Sequence, residues 1–133
     1  MNEWHAYHNR KTQGKFSKEN SYTNKNINII KGDKLYIISG QQGNPTEYYL
    51  EGIFEVIEKN TDGPFKLPNS ETQKNIKFIL KTIKTSSTDI ILNNEPWFNK
   101  DEFRSLFANG FGVTKFNSKS EKHKEYFDFL LGS

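Results

Sequence analysis

Alternating apolar and polar residues predict β-strands over the first two thirds of the chain. A short strand near Trp4 is followed by a loop-rich segment that extends to about residue 26. The clearest strand is Lys34–Ser39 (KLYIIS), which is rich in β-branched and aromatic residues. Turn chemistry at Gly32-Asp33 introduces it.

A longer strand is predicted over Tyr48–Glu58, after a loop of two glycines and a proline at residues 40–45. Its alternation places Glu51, Glu55 and Glu58 outward. Gly52 interrupts the pattern, and a glycine inside a strand indicates a bulge or a close backbone approach. Two shorter strands are then predicted over residues 76–83 and 89–92, beyond a polar loop at residues 59–75.

The last third of the chain predicts two helices. The first covers residues 100–108, with Asn99 as its N-cap, acidic residues in its first turn and Asn109-Gly110 as its end. Its apolar stripe is Phe103, Leu106 and Phe107. The second helix covers residues 119–131, with Ser118 or Ser120 as cap and Phe127, Leu130 and Leu131 as its apolar face. Residues 110–114 between them are expected to form an edge strand.

This order of elements predicts an α+β fold, with a mostly antiparallel sheet or small β-barrel, a short helix and a C-terminal helix. The 133 residues suit one domain spanning residues 1–133. Only 33% of them are hydrophobic, but 14% are aromatic, so large rings must supply much of the core. There is no apolar run of membrane length and no signal-peptide core, so we expect a cytoplasmic protein.

Positive charge is concentrated in the loop-rich N-terminal segment. Residues 1–31 contain six basic and two acidic side chains, whereas the remainder contains thirteen basic and fourteen acidic ones. Such a segment on a near-neutral body is typical of contact with a polyanion such as nucleic acid. A solvated, lysine-rich surface explains the same charge distribution.

Catalytic and metal-binding motifs are absent from the sequence. The chain has no cysteine, no nucleophile elbow and no phosphate-binding glycine loop. His5 and His8 are three residues apart, so in a strand they point to opposite faces and make a poor metal clamp. We therefore expect a binding module without cofactor or metal, rather than an enzyme.

Two aromatic residues and one arginine stand out beside the lysines. Trp4 and Trp97 each lie near basic residues, and flat rings in a basic groove are what base stacking requires; packing against the core explains them equally well. Arg104 is one of only two arginines, and it could pair with Asp101 or reach a phosphate.

Part of the chain resembles the PUA-like superfamily, and within it the EVE-like and YTH-like domains. The resemblance rests on Ile29–Ile38 (IIKGDKLYII) and Gly52–Val56 (GIFEV), and it covers about residues 27–58. Phe103–Gly112 (FRSLFANGFG) is similar to a segment of the N-terminal DNA-reading domains of modification-dependent restriction systems. The resemblance implies a small barrel that reads a flipped, modified base, DNA more readily than RNA as ligand, and a companion nuclease or motor subunit or domain.

The leading hypothesis is therefore a nucleic-acid-binding module. Its expected base-binding residues are Trp4, Tyr22, Tyr36, Ser39, Trp97 and Asn109, and its expected phosphate-binding residues are Lys11, Lys15, Lys18 and Arg104. Two alternatives remain open. One is a protein-interaction or inhibitor domain with an exposed aromatic patch, and the other is a small nuclease with an unrecognised carboxylate site.

Overall fold

The computed structural model describes residues 3–9, 20–23, 27–43, 45–60, 65–66, 75–76, 78–107 and 113–132. These residues form an α+β fold, as the sequence predicts. The strands are β1 (Glu3–Asn9), β2 (Asn20–Thr23), β3 (Lys34–Gln41), β4 (Glu47–Asn60), β5 (Phe65–Lys66), β6 (Asn75–Ile76), β7 (Phe78–Ile91) and β8 (Val113–Lys115). The helices are α1 (Lys100–Phe107) and α2 (Glu121–Gly132).

Six of the strands form one sheet in the order β2-β7-β4-β3-β1-β8. The pairings are antiparallel except for β1 and β3, which run parallel, so the prediction of a mostly antiparallel sheet is confirmed. Within the described residues the sheet is open, with β2 and β8 at its edges. A short ladder of β5 and β6 stands apart from it.

Both faces of the sheet are covered at β3. Every residue from Leu35 to Gly40 is buried, so the strand lacks the polar face of a one-sided sheet. Its side chains instead alternate between two apolar clusters. Leu35 and Ile37 belong to one cluster, here called the inner core, and Tyr36 and Ile38 to the other, here called the helix-side core.

The inner core is built from one face of the sheet and the segment that precedes β3. Trp4, Phe54, Leu80 and Val113 bring four further strands into it, and Ile29 packs on it with no exposed surface. These contacts use the large aromatic rings that the composition predicts as core material.

The helix-side core is covered by the two helices. In α1, Phe103 and Phe107 are buried, and Asn99 caps the helix because its Oδ1 accepts a hydrogen bond from the Glu102 amide at 3.0 Å. In α2, Phe127 is buried, while Leu130 and Leu131 are partly buried against the same cluster. The predicted cap and both predicted apolar faces are confirmed. No helix among the described residues is long and apolar enough to cross a membrane.

The Gly32-Asp33 turn joins three strands. The Asp33 carboxylate accepts hydrogen bonds from Trp4 Nε1 and from the Ile30 amide, both at 3.1 Å. The turn backbone is bonded to β4, through Gly32 N to Val56 O at 2.8 Å and Val56 N to Asp33 O at 3.0 Å. One buried carboxylate therefore fixes the start of β1 against the β3–β4 pair.

Three details of the sheet differ from the sequence prediction. Residues 78–91 form one strand instead of two, because its polar centre pairs with β4 across register shifts at the β4 bulges. β2 lies in the segment predicted as loop, and its polar sequence gives little strand signal. Glu51 was expected to point outward but is 1% exposed, since the bulge beside Gly52 shifts the alternation by one residue.

Two buried histidines flank the same ring of α1. His5 of β1 lies 4.9 Å from the Phe107 ring centroid, and His123 of α2 lies 5.4 Å from it. Burial lowers the pKa of His5 to about 4. Burial also lowers the pKa of His123, with Lys122 acting in the same direction and Glu102 opposing both. Both rings are therefore held neutral at the joint between sheet and helices.

Replacing Asp33 should destabilise the fold strongly. Asp33→Ala leaves the Trp4 and Ile30 donors without their acceptor, so we expect a loss of about 2–4 kcal/mol in the free energy of unfolding. Urea denaturation measures it. Asp101→Ala, at an exposed position in the first turn of α1, is the control and should lose no more than about 1 kcal/mol. Equal losses in the two variants would contradict the role given to Asp33.

Stability should fall as the solution is acidified from pH 7 to pH 5. The folded-state pKa of His5, about 4, lies below its unfolded value of 6.5, so the unfolded chain binds more protons in this interval. His5 alone should remove about 2 kcal/mol between these pH values, and His123 adds to the loss in the same direction. Urea midpoints at both pH values measure the effect. His5→Phe should reduce the loss, whereas an unchanged loss would contradict this explanation.

Candidate functional site

Four strands end together at one side of the sheet, here called the loop end. It consists of Asn9 in β1, Gly40-Gln41 in β3, Glu47 in β4 and Ile91 in β7. The strand pairing brings these positions together, because Asn9 is the register partner of Gly40 and Gln41 is that of Glu47. The connections that leave the sheet here are where a binding loop can be positioned by a rigid scaffold.

Hydrogen bonds from Asn93 fix the loop end. Its Oδ1 accepts from the Tyr48 amide at 2.7 Å, and its Nδ2 donates to the Thr46 carbonyl at 2.9 Å. The Leu92 amide donates to the Tyr48 carbonyl at 2.8 Å. The segment after β7 is thereby tied to the start of β4.

A close contact between Tyr7 and Gly40 fixes β1 to β3 at the same end. A Cβ atom on Gly40 would lie 1.8 Å from the Tyr7 hydroxyl oxygen, so only glycine leaves room for the phenol. Tyr7 also lies within electrostatic range of Arg104. Burial and Tyr48 raise the pKa of Tyr7, and the Arg104 guanidinium lowers it. Arg104 is thus placed on the helix-side face beside the end of β1.

A β-bulge turns a carboxylate into the protein one residue before Gly52. Ile37 pairs with Gly52 and Ile38 with Leu50, so Glu51 is the extra residue of β4. Gly52 has φ +138°, a conformation that favours glycine. Bulges commonly redirect a side chain and occur often beside functional sites.

The buried Glu51 is bonded to a buried serine. Ser39 Oγ donates to Glu51 Oε1 at 2.6 Å, a length typical of a hydroxyl bonded to a charged acceptor. Ser39 has no exposed surface and Glu51 is 1% exposed. We refer to Ser39, Glu51 and Gly52 together as the bulge site. Because the serine proton is directed at the carboxylate, the bond presents two acceptor groups to anything that approaches it.

The basic segment leaves the sheet beside the bulge site. His8 is the register partner of Ser39, and β1 ends one residue later. The sequence then continues with Arg10, Lys11, Lys15 and Lys18. The topology therefore brings the point of departure of these cations next to a buried carboxylate.

The predicted base-binding residues are not assembled into one pocket by the described residues. Trp4 is 5% exposed and belongs to the inner core, whereas Trp97 belongs to the helix-side core. The two rings thus lie on opposite faces of the sheet. Ser39 lies in the bulge site. Tyr22 is in β2, but its side chain lies outside the described residues, as does the whole of Asn109.

Trp97 and Tyr36 have structural partners instead. The Trp97 ring is stacked on Tyr126 of α2, with centroids 4.7 Å apart and an interplanar angle of 9°. Lys122 Nζ lies 6.0 Å from the Tyr126 centroid. These contacts fasten the segment before α1 to α2.

Tyr36 joins a polar cluster at the end of the sheet opposite the loop end. Its hydroxyl donates to Asp128 and lies 3.2 Å from Glu3 Oε2, and Lys124 pairs with both carboxylates at 2.7 and 2.9 Å. Burial raises the pKa of Tyr36, and the bond to Asp128 raises it further. Tyr36 therefore connects β3 to α2 and is remote from Ser39, three residues along the same strand on the other face.

Of the predicted phosphate-binding residues, Arg104 alone is described. It is exposed on α1 and has no ion-pair partner among the described residues, Asp101 included. Lys11, Lys15 and Lys18 lie outside the described residues. Glu51 was not predicted as a site residue, although the glycine that follows it was a signal that the alternation could shift there.

The described residues contain no group of three or more histidine, aspartate and glutamate side chains arranged to hold a metal ion. The sequence matches no protein-family model and no curated protein.

Replacing Gly52 should disturb the bulge. Alanine tolerates φ +138° poorly, so Gly52→Ala should lower the free energy of unfolding by about 1–3 kcal/mol. Gly132→Ala is the matched control, because a Cβ there meets nothing within 4 Å. Denaturant unfolding compares the two variants. A Gly52→Ala protein as stable as the control would show that the bulge accommodates a side chain.

Proposed function

We propose that this chain is a nucleic-acid-binding module that contacts its ligand at the loop end. The observation that carries the proposal is the convergence there of an unpaired arginine, the point of departure of the basic segment and the bulge site. Polyanions are attracted by clustered cations, and a base edge is read by fixed hydrogen-bonding groups. The loop end supports both requirements.

Arg104 is the phosphate contact that the geometry supports best. Its guanidinium is exposed and lies within electrostatic range of Tyr7, two residues before β1 ends. A planar guanidinium without a carboxylate partner can bind phosphate oxygens in a bidentate manner. Lys11, Lys15 and Lys18 follow in the adjoining segment, so they extend the same basic surface in the proposal.

Base reading is assigned to the bulge site and not to the two tryptophans. Ser39 and Glu51 provide fixed polar atoms close to the strand ends, whereas Trp4 is almost fully buried and Trp97 is stacked within the protein. The proposed ligand is a nucleic acid with one base turned out of its stack, because a base edge inside a duplex cannot reach a buried pair.

A PUA-like barrel is part of the proposal for the fold. The edge strands β2 and β8 approach each other, with Cα atoms within 8 Å, although the described sheet stays open between them. This curvature and the Gly32-Asp33 turn support the resemblance to EVE-like and YTH-like domains. DNA is the first ligand to test, with RNA of the same sequence beside it.

Binding should depend steeply on salt and on the cations at the loop end. We expect the affinity for a fluorescein-labelled duplex of about 20 base pairs to fall by at least tenfold between about 50 and 200 mM salt, because phosphate contacts release counterions. Exchanging Lys11, Lys15 and Lys18 together for glutamine should reduce the slope of log K against log salt by about 2–3. Arg104→Gln should reduce it by about 1. Fluorescence anisotropy measures both.

A triple variant with equal charge loss is the control. Lys31, Lys81 and Lys119 are exposed and none of them lies at the loop end, so their exchange for glutamine should weaken binding less. Equal weakening by both triple variants would place the interface elsewhere. Binding that is insensitive to salt, or no binding to any DNA or RNA probe, would overturn the proposal.

A further inference from the structure

The buried carboxylate of Glu51 has no role in the fold comparable to that of Asp33. Asp33 is bonded to a backbone amide and to the Trp4 indole, so it closes a turn and joins two strands. The bond between Ser39 and Glu51 instead joins two side chains of adjacent strands that already pair through their backbones. Apolar side chains of similar size would serve the sheet equally well there, since a buried polar pair seldom stabilises more than its hydrophobic substitute.

The backbone at this position is shaped to bring the carboxylate inside. Without the bulge, the alternation of β4 would place Glu51 on the side opposite to Ser39, which is the expectation from the sequence. The extra residue and the positive φ of Gly52 reverse that orientation. Strained backbone of this kind persists where a side-chain position matters for function.

The chemistry of the pair is one-sided. An ionised carboxylate only accepts hydrogen bonds, and the Ser39 hydroxyl is already donating to it. A ligand group that joins the pair must therefore supply donors. In a water-excluded interior such bonds are stronger, and a ligand acceptor placed against the carboxylate is repelled.

Nucleobases differ in just this property. Cytosine, adenine and guanine each carry an exocyclic amine, which is a donor, whereas thymine and uracil carry carbonyl oxygens in its place. Carboxylates accept from the cytosine amine in the same way in groove readout, and one well-placed polar contact discriminates between bases by about 1–3 kcal/mol.

We propose that Ser39 and Glu51 select a turned-out base that bears an exocyclic amine and reject thymine and uracil. This inference rests on the proposed function, because it names the base class that the nucleic-acid site takes. Burial of the pair adds a condition: the base reaches it by entering at the loop end, where the strands stop one to two residues beyond Ser39.

The test is a panel of fluorescein-labelled duplexes that differ in one base, placed opposite an abasic site so that it leaves the stack easily. The probes carry cytosine, adenine, guanine, thymine or uracil at that position. We expect at least one amine-bearing probe to bind about tenfold or more tighter than the thymine and uracil probes. Thymine or uracil bound as tightly as the best amine-bearing probe would overturn the inference.

Glu51→Gln tests the role of the carboxylate with little change of size. The amide adds a donor that a thymine or uracil carbonyl can use, so the preference should shrink to about twofold or less, or reverse. Glu55→Gln on the same strand is the matched control, because Glu55 is paired with Lys34 at 3.1 Å and lies outside the bulge site. It should leave the preference unchanged. A folded Glu51→Gln protein with the wild-type preference would overturn the inference.

The outcomes separate this inference from the proposed function. Salt-dependent binding without a base preference leaves the nucleic-acid module standing and removes the assignment to Ser39 and Glu51. No binding to any probe removes both. Thermal unfolding identifies a Glu51→Gln protein that fails to fold, and in that case the wild-type panel alone decides whether amine-bearing bases are preferred.

Discussion

The fold depends on burying β3 on both faces. A strand with apolar residues at successive positions cannot place one face in water, so it requires a cover on each side of the sheet. The inner core and the helix-side core are those covers, and each takes alternate residues of the same strand. The neighbours follow from this requirement: β1 and β4 line both clusters, and the two helices are held to the sheet by rings that pack on Tyr36, Ile38 and Tyr48.

Double burial also explains why the bulge has a large effect. In a sheet with one wet face, a one-residue shift would move a glutamate between core and solvent. Here no side of β4 near Ile38 faces water, so Glu51 is buried once it enters the paired region and needs a donor at once. Ser39 supplies that donor at 2.6 Å. The polar pair is thus a consequence of placing an extra residue in a strand that has no solvent side.

The sequence predicted most of the elements because their signals are local. The Gly32-Asp33 turn, the strand after it, the Asn99 cap and the apolar stripes of both helices depend on residues within a few positions of one another. The parallel pairing of β1 with β3 depends on contacts distant in sequence, and β2 is too polar to signal a strand. The candidate site was predicted in part. Ser39 and Arg104 were named, but the tryptophans were taken as ligand contacts because their burial against Asp33 and Tyr126 is a tertiary property. Glu51 was missed because strict alternation ignores the residue that a bulge inserts.

The two ends of the sheet differ in how their charges are compensated. Opposite the loop end, Lys34 pairs with Glu55, and Lys124 pairs with Glu3 and Asp128 around the Tyr36 hydroxyl, so these charges are used within the protein. Beside the loop end, Arg104 has no such partner among the described residues, and the sequence that continues from β1 adds cations without matching carboxylates. A charge that folding has already paired contributes little to attracting a ligand, whereas an unpaired one retains its field. The asymmetry therefore points to the loop end as the part of the molecule whose charges are available to a polyanion, and it places the only described carboxylate–hydroxyl pair within the strands directly beneath them.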